Sequence, residues 1–250
     1  MQPSAIMTGA LRLKPNLAVA YINRAIVHRD KGEYDAALRD YDMALRLESY
    51  ASLYLNRGFV RFAAGRFTDA AADFADGLRI APKPPYYVLW LHLSRARAGQ
   101  DDRNEFARNT SAFLPIVSTN QAFSFSMAVD WESWPRPVIG FLLRQVPADQ
   151  LLNAARALEY LGEIPDPRNR RVPRCDAVFF IGEQEILGRN ITRARQRLRE
   201  VLGFCPPTYY HYFVAKAELS PFHRTLERRF SAAIRRHPVS QPTKDARTSS

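Results

Sequence analysis

Residues 19–47 read VAYINRAIVHRDKGEYDAALRDYDMALRL, and residues 52–80 read SLYLNRGFVRFAAGRFTDAAADFADGLRI. Superposed, Tyr21 falls on Tyr54, Asn23 on Asn56, Arg24 on Arg57 and Ala25 on Gly58. Further along, Tyr34 falls on Phe67, Ala37 on Ala70, Asp40 on Asp73, Tyr41 on Phe74 and Leu47 on Ile80, a period of 33 residues. A fixed period of this size marks a solenoid, because one unit cannot bury its apolar face alone and stacking buries it. Within each unit the apolar positions recur at helical spacing on either side of a glycine, Gly32 or Gly65, so each unit reads as two helices joined at that turn. Pro82 closes the second unit.

The order of residue types is specific. A large aromatic is followed four places on by a small residue, then by a glycine, an aromatic, an alanine and a closing proline. This resembles the tetratricopeptide (TPR) repeat, and the resemblance implies an all-α, right-handed solenoid of helical hairpins. Ala25, Gly58, Ala37 and Ala70 are places where helices approach closely, while Tyr34, Tyr41, Phe67 and Phe74 fill the wedge between units.

Weaker signals continue the register. Residues 1–17 read as the tail of an incomplete repeat, 18–50 and 51–84 as the two clear units, and 85–117 as a degenerate unit whose Gly99 follows Gly65 by 34 residues. Residues 118–174 read as a helical insert, with one helix after Pro135-Arg136-Pro137 and one after Pro147, ending in a Pro-rich basic connector. Residues 175–207 form a further TPR-like unit on Ile181-Gly182, Ala194 and Pro206; 208–237 read as capping helices and 238–250 as a disordered tail.

From residue 85 to 220 the order LWLHLSRARAG, WPRPVIGFLL, CDAVFFIGE, CPPTYYHYFVAKAEL is similar to bacterial TPR lipoproteins of the NlpI type and their proteobacterial relatives. That resemblance implies a dimeric envelope adaptor that brings a protease or peptidoglycan hydrolases together. The N-terminus departs from that family, with neither export signal nor lipid-bearing cysteine. On the reading that the front of a repeat is missing, the setting is the periplasm or cell envelope; taken as complete, the chain is cytoplasmic.

Composition narrows the chemistry. A 46% hydrophobic and 24% charged chain is an ordinary globular one, and no apolar run is long enough to span a membrane. The net charge of +11 is uneven: residues 1–165 carry 19 Lys and Arg against 17 Asp and Glu, and residues 166–250 carry 17 against 8. A basic module contacting RNA or anionic membrane through residues 166–236 is therefore the rival reading. It lacks interleaved exposed aromatics, since Tyr209, Tyr210, Tyr212 and Phe213 cluster as for helix packing, so nucleic acid is not the expected partner. No two of the five histidines stand at metal-ligand spacing, and no phosphate loop or nucleophile elbow is present. The expectation is a non-catalytic protein with no cofactor and no metal. His28 reads as a packed histidine.

In a TPR solenoid the first helix of each hairpin lines the concave groove. That face offers Val19, Ile22, Asn23, Ile26 and Arg29, then Ser52, Leu55, Asn56, Phe59 and Phe62, then Tyr86, Leu89, Trp90, Leu93 and Arg97. Asn23 and Asn56 form a ladder able to donate to and accept from a peptide backbone. Phe59, Phe62 and Trp90 are expected as an apolar wall, with Arg97 beside it, although Trp90 also fits a core position. A clamp for the Hsp70 or Hsp90 carboxylate needs Lys and Arg where this chain has Tyr86 and Trp90, so that partner is excluded. A protein or peptide ligand is expected instead. Cys175 and Cys205 stand at the two ends of one helical hairpin, close enough to bridge in an oxidising compartment; in the cytosol they remain two buried thiols.

Overall fold

The computed structural model describes residues 3–81, 85–111, 134–161 and 171–220. Residues 82–84 with the closing Pro82, the end of the degenerate unit and the start of the insert (112–133), most of the connector (162–170) and everything expected of residues 221–250 lie outside them. Helix α1 (Pro3–Leu13) precedes the hairpins α2/α3 (Ala18–Asp30, Tyr34–Leu47), α4/α5 (Ala51–Ala63, Phe67–Ile80) and α6/α7 (Pro85–Arg97, Arg103–Thr110). Then come α8 (Arg136–Leu142), α9 (Ala148–Leu161), the hairpin α10/α11 (Val172–Leu187, Ile191–Phe204) and α12 (Tyr210–Glu218). Every regular element among the described residues is a helix. The chain is an all-α TPR-like solenoid.

The turns explain the glycines. In each of the first three hairpins the first helix ends in a left-handed residue, Gly32, Gly65 or Gly99, with φ of 79°, 74° and 76°. Each donates its N–H to the carbonyl three residues back, on Arg29, Phe62 or Ala96, which satisfies an otherwise orphaned helix end. The α10/α11 hairpin uses the same turn, but its left-handed place is taken by Arg189, at φ 62°. An L side chain costs about 1 kcal/mol there. Arg189 is exposed, so Arg189→Gly is expected to raise stability by about 0.5–1 kcal/mol, seen as a higher urea midpoint with unchanged slope.

Close approach explains the small residues. A Cβ on Gly58 would lie 3.0 Å from the Phe74 ring, and one on Gly182 would lie 3.2 Å from Arg197 Cβ. A Cβ on Gly77 would run into the Tyr87 ring, so the second repeat packs on α6 without room for a methyl group. A polar pair repeats with the period as well. Arg24 donates to both carboxylate oxygens of Asp40 (2.8 and 2.6 Å), and Arg57 donates to Asp73 Oδ1 at 2.6 Å. Both aspartates are buried, and each bridge ties the two helices of its hairpin. His28 differs from expectation: it is half-buried at the end of α2, with Nδ1 2.5 Å from Glu33 Oε2, and belongs to a turn rather than to the core.

The core has two parts. A small cluster, Ala25, Ala37, Leu38, Tyr41, Ala44, Leu53 and Val60, holds the first hairpin to the second. A large one runs from Phe59 through α6, α8, α9 and α10 to Ala217 on α12. Cys175 and Cys205 are joined by a disulfide with a Cα separation of 5.7 Å, which ties the start of α10 to the end of α11. Their antiparallel hairpin brings those ends together, as the spacing requires.

Candidate functional site

Helices α2, α4 and α6 are the first helices of the first three hairpins, the set expected to line the inner face. Asn23 and Asn56 hold equivalent places on α2 and α4, each nine residues before the turn glycine. The turn-anchored register puts Trp90 at that place on α6, 34 residues after Asn56.

Helix α12 lies on this face. Tyr210 stacks on Phe59 with ring centroids 3.8 Å apart, and its hydroxyl donates to Asn56 Oδ1 at 2.7 Å. Phe213 meets the Tyr34 ring edge-on at 5.9 Å, under the Arg29 guanidinium at 5.3 Å. At the far end of the helix, Glu218 Oε1 is 3.0 Å from Arg97 Nη1. The helix therefore touches all three repeats. The clustered aromatics read from sequence as packing residues; that Tyr210 packs on Phe59 and Asn56 is not visible in a linear pattern.

This corrects the expected wall. Phe59, Phe62 and Trp90 are at most 2% exposed. Trp90 is enclosed by Phe59 (4.7 Å), Phe62 (5.3 Å), Phe179 (5.2 Å) and His211 (5.4 Å), so it is a core side chain. The physical reason is plain: so much aromatic surface on one face is costly to leave in water, and α10 and α12 of the same chain cover it. Arg97 is likewise enclosed, with Nη1 2.6 Å from Glu183 Oε2 and its guanidinium 4.5 Å above the Phe67 ring. Asn56 is half-buried and engaged by Tyr210.

What stays open is the part of the face nearest the N-terminus. Val19 is 52% exposed, Asn23 and Ser52 are exposed, and Ile22, Ile26 and Leu55 are half-buried between them. Of the two aligned asparagines, Asn56 is engaged by Tyr210 and Asn23 is exposed.

Beneath α12 lies a buried polar seam that sequence reading missed. Asp176 Oδ2 accepts from Tyr86 Oη and from Trp134 Nε1, both at 2.8 Å, while Asp176 Oδ1 is 3.3 Å from His211 Nδ1. Burial pushes the Asp176 carboxyl up to about 7 against the two hydrogen bonds, and burial pushes His211 down to about 3. Burial thus favours the uncharged form of each partner. The seam has a helical signature: Asp176 and Glu183 are two turns apart on α10, as are His211 and Glu218 on α12. Such a pair of matched intervals was the available signal.

The arginines of α11 divide. Arg193 and Arg199 are exposed, while Arg197 pairs with Glu200 at 3.0 Å. Among the described residues no group of His, Cys, Asp and Glu is placed to hold a metal, and no helix is long and apolar enough to cross a membrane.

Residues 18–50 match the tetratricopeptide repeat family. Over 92 residues the chain is 34% identical to the lipoprotein NlpI homolog of Haemophilus influenzae, a match that covers 36% of this chain and 29% of that protein. Among solved structures it is similar to YrrB, described as a TPR protein with an unusual peptide-binding site, at 17% identity and a TM-score of 0.39 over 84% of this chain and 97% of that one. The second hairpin and its turn repeat the pattern of the first, so the chain is a solenoid built on a tetratricopeptide repeat at residues 18–50, with an NlpI-like resemblance.

Proposed function

We propose that this chain is a protein-interaction scaffold that binds a peptide segment of a partner along the open part of its inner face. One observation carries this: Asn56 already holds a side-chain ligand, the Tyr210 hydroxyl, at 2.7 Å, and Asn23 stands exposed in the same place one repeat earlier. The flanking Val19, Ile22 and Ile26 supply the apolar contact that gives such a site its affinity. The Cys175–Cys205 disulfide favours an oxidising compartment. With the likeness to a lipoprotein, it supports an envelope adaptor, dimeric by the same kinship, for a protease or peptidoglycan hydrolase.

The test is to pan a displayed peptide library on the full chain and to measure the selected peptides on variants. Asn23→Ala is expected to weaken them about tenfold, roughly 1.4 kcal/mol, and Val19→Asp to abolish capture. Arg39→Glu, an exposed change on α3, is expected to leave affinity unchanged. Thermal stability should move little in all three, by about 0.5 kcal/mol at most. Equal affinity for the wild type, Asn23→Ala and Val19→Asp would remove the open face from the proposal.

A further inference from the structure

The arginines of the first two hairpins are mostly paired. Residues 18–81 carry nine Lys and Arg against nine Asp and Glu, and Arg24, Arg57, Arg61 and Arg66 each contact a carboxylate at 2.6 to 2.8 Å. The α10/α11 hairpin differs. Between residues 171 and 204 stand seven arginines, no lysine and four acids, and two of those acids, Asp176 and Glu183, are buried. Arg193 and Arg199 are exposed and have no carboxylate partner among the described residues. They stand on the side of α11 away from the buried Ala194, Leu198 and Val201, about 9 Å apart along the helix axis. The other exposed residues of the helix are Thr192, Gln196 and Gly203, none of them a large apolar group.

The backbone adds an independent observation. The two non-glycine residues of positive φ among the described residues are both exposed arginines, Arg144 at 61° and Arg189 at 62°. Neither has a carboxylate partner among the described residues. They lie at one end of the molecule: Arg144 shares a surface hollow with Gln184, and the Gln184 carbonyl accepts the N–H of Gly188, next to Arg189. The first three hairpins place glycine where Arg189 stands. A strained backbone state kept twice for an exposed guanidinium points to a use for the guanidinium.

We propose that Arg144, Arg189, Arg193 and Arg199 form a phosphate-reading face that docks this end of the chain on an anionic phospholipid surface. The guanidinium fork meets phosphate oxygens two at a time, which an ammonium cannot do, and every cation of the α10/α11 hairpin is an arginine. The exposed residues of α11 and its turn include no aromatic, so they offer neither the anchor of a protein interface nor the stacking platform of a single-stranded nucleic acid. The Cys175–Cys205 bridge joins the two ends of this same hairpin and belongs to an oxidising compartment, where membrane surface is at hand and nucleic acid is not. With no apolar group to insert, docking is electrostatic and weakens as salt screens it.

Co-sedimentation of the full chain with lipid vesicles tests this face. Phosphatidylcholine vesicles carrying about one third phosphatidylglycerol are expected to carry the chain down at low salt and to release it as salt rises. Pure phosphatidylcholine vesicles are expected to leave it in solution. Arg189→Gly and Arg144→Gly relax the backbone, so a loss of binding in them is not a loss of folding. Each is expected to lower the partition coefficient about fivefold, the effect of one arginine near an anionic surface, while raising the urea midpoint. Arg193→Gln combined with Arg199→Gln is expected to lower it about twentyfold. Arg39→Gln removes the same charge from an exposed place on α3 and is expected to change it less than about twofold. Equal binding to neutral and anionic vesicles overturns the proposal, and so does wild-type partition in the Arg189→Gly and the Arg193→Gln, Arg199→Gln proteins. Retention on duplex DNA at a salt concentration that frees the chain from vesicles overturns it in favour of nucleic acid. No peptide enters the assay, so peptide capture and vesicle docking can each fail while the other holds.

Discussion

Trp90→Ala is expected to destabilise the protein by about 3–5 kcal/mol, the range for deleting a fully buried large aromatic. The indole is 1% exposed and lies where α4, α6, α10 and α12 meet, in contact with rings from each of the other three helices. Truncation leaves a void bounded by Phe59, Phe62, Phe179 and His211, and four helices cannot all close on it. The loss should appear as a lower urea midpoint and as faster exchange in α12, which rests directly on the indole. Peptides held at the exposed Asn23 should still bind under conditions where the variant is folded. A Trp90→Ala protein of wild-type stability that had lost its peptides would restore Trp90 to the groove wall and contradict the buried placement.

The repeat was legible because its signals are local. Gly32 and Gly65 mark turns, Gly58 and Ala70 mark close approaches, and the 33-residue period states the architecture. The disulfide was legible for a similar reason: Cys175 and Cys205 sit at the ends of one hairpin, whose geometry is fixed by its length. The face shared by the first helices was legible, but what covers it was not. That Phe59, Phe62 and Trp90 line the first-helix side follows from period alone. Whether solvent, a partner or the chain itself covers them depends on a contact between Asn56 and Tyr210, 154 residues apart, and no periodicity carries information over that distance. The composition of α12 did hold a hint, since aromatics crowded into one short helix need an aromatic surface to cover. Arg24 and Arg57 were read as aligned, yet their partners Asp40 and Asp73, aligned at the same period, went unpaired in the reading; a constant separation of 16 residues between arginine and aspartate in both units was the missed clue.

Arg97→Met is the second large effect, and its size should depend on pH. The substitution keeps much of the apolar stem that packs on Phe67 and removes only the charge. Glu183, fully buried, then loses the guanidinium that offsets its charge, which costs about 3–5 kcal/mol when it is ionised. Glu183, whose carboxyl burial already pushes up to about 7, escapes by taking a proton. The penalty is therefore expected in full near pH 8 and much reduced near pH 5.5, the reverse of an ion pair whose carboxylate is depressed and fails in acid. Urea unfolding at the two values measures the difference directly. Adding Glu183→Gln to Arg97→Met removes that buried charge, so most of the loss at pH 8 should be recovered, whereas the change should not help if Arg97 acts through packing alone. A loss below about 1 kcal/mol at pH 8 would mean that water reaches the Arg97–Glu183 contact, and α12 would then be held in place by Tyr210 and Phe213 and not by charge.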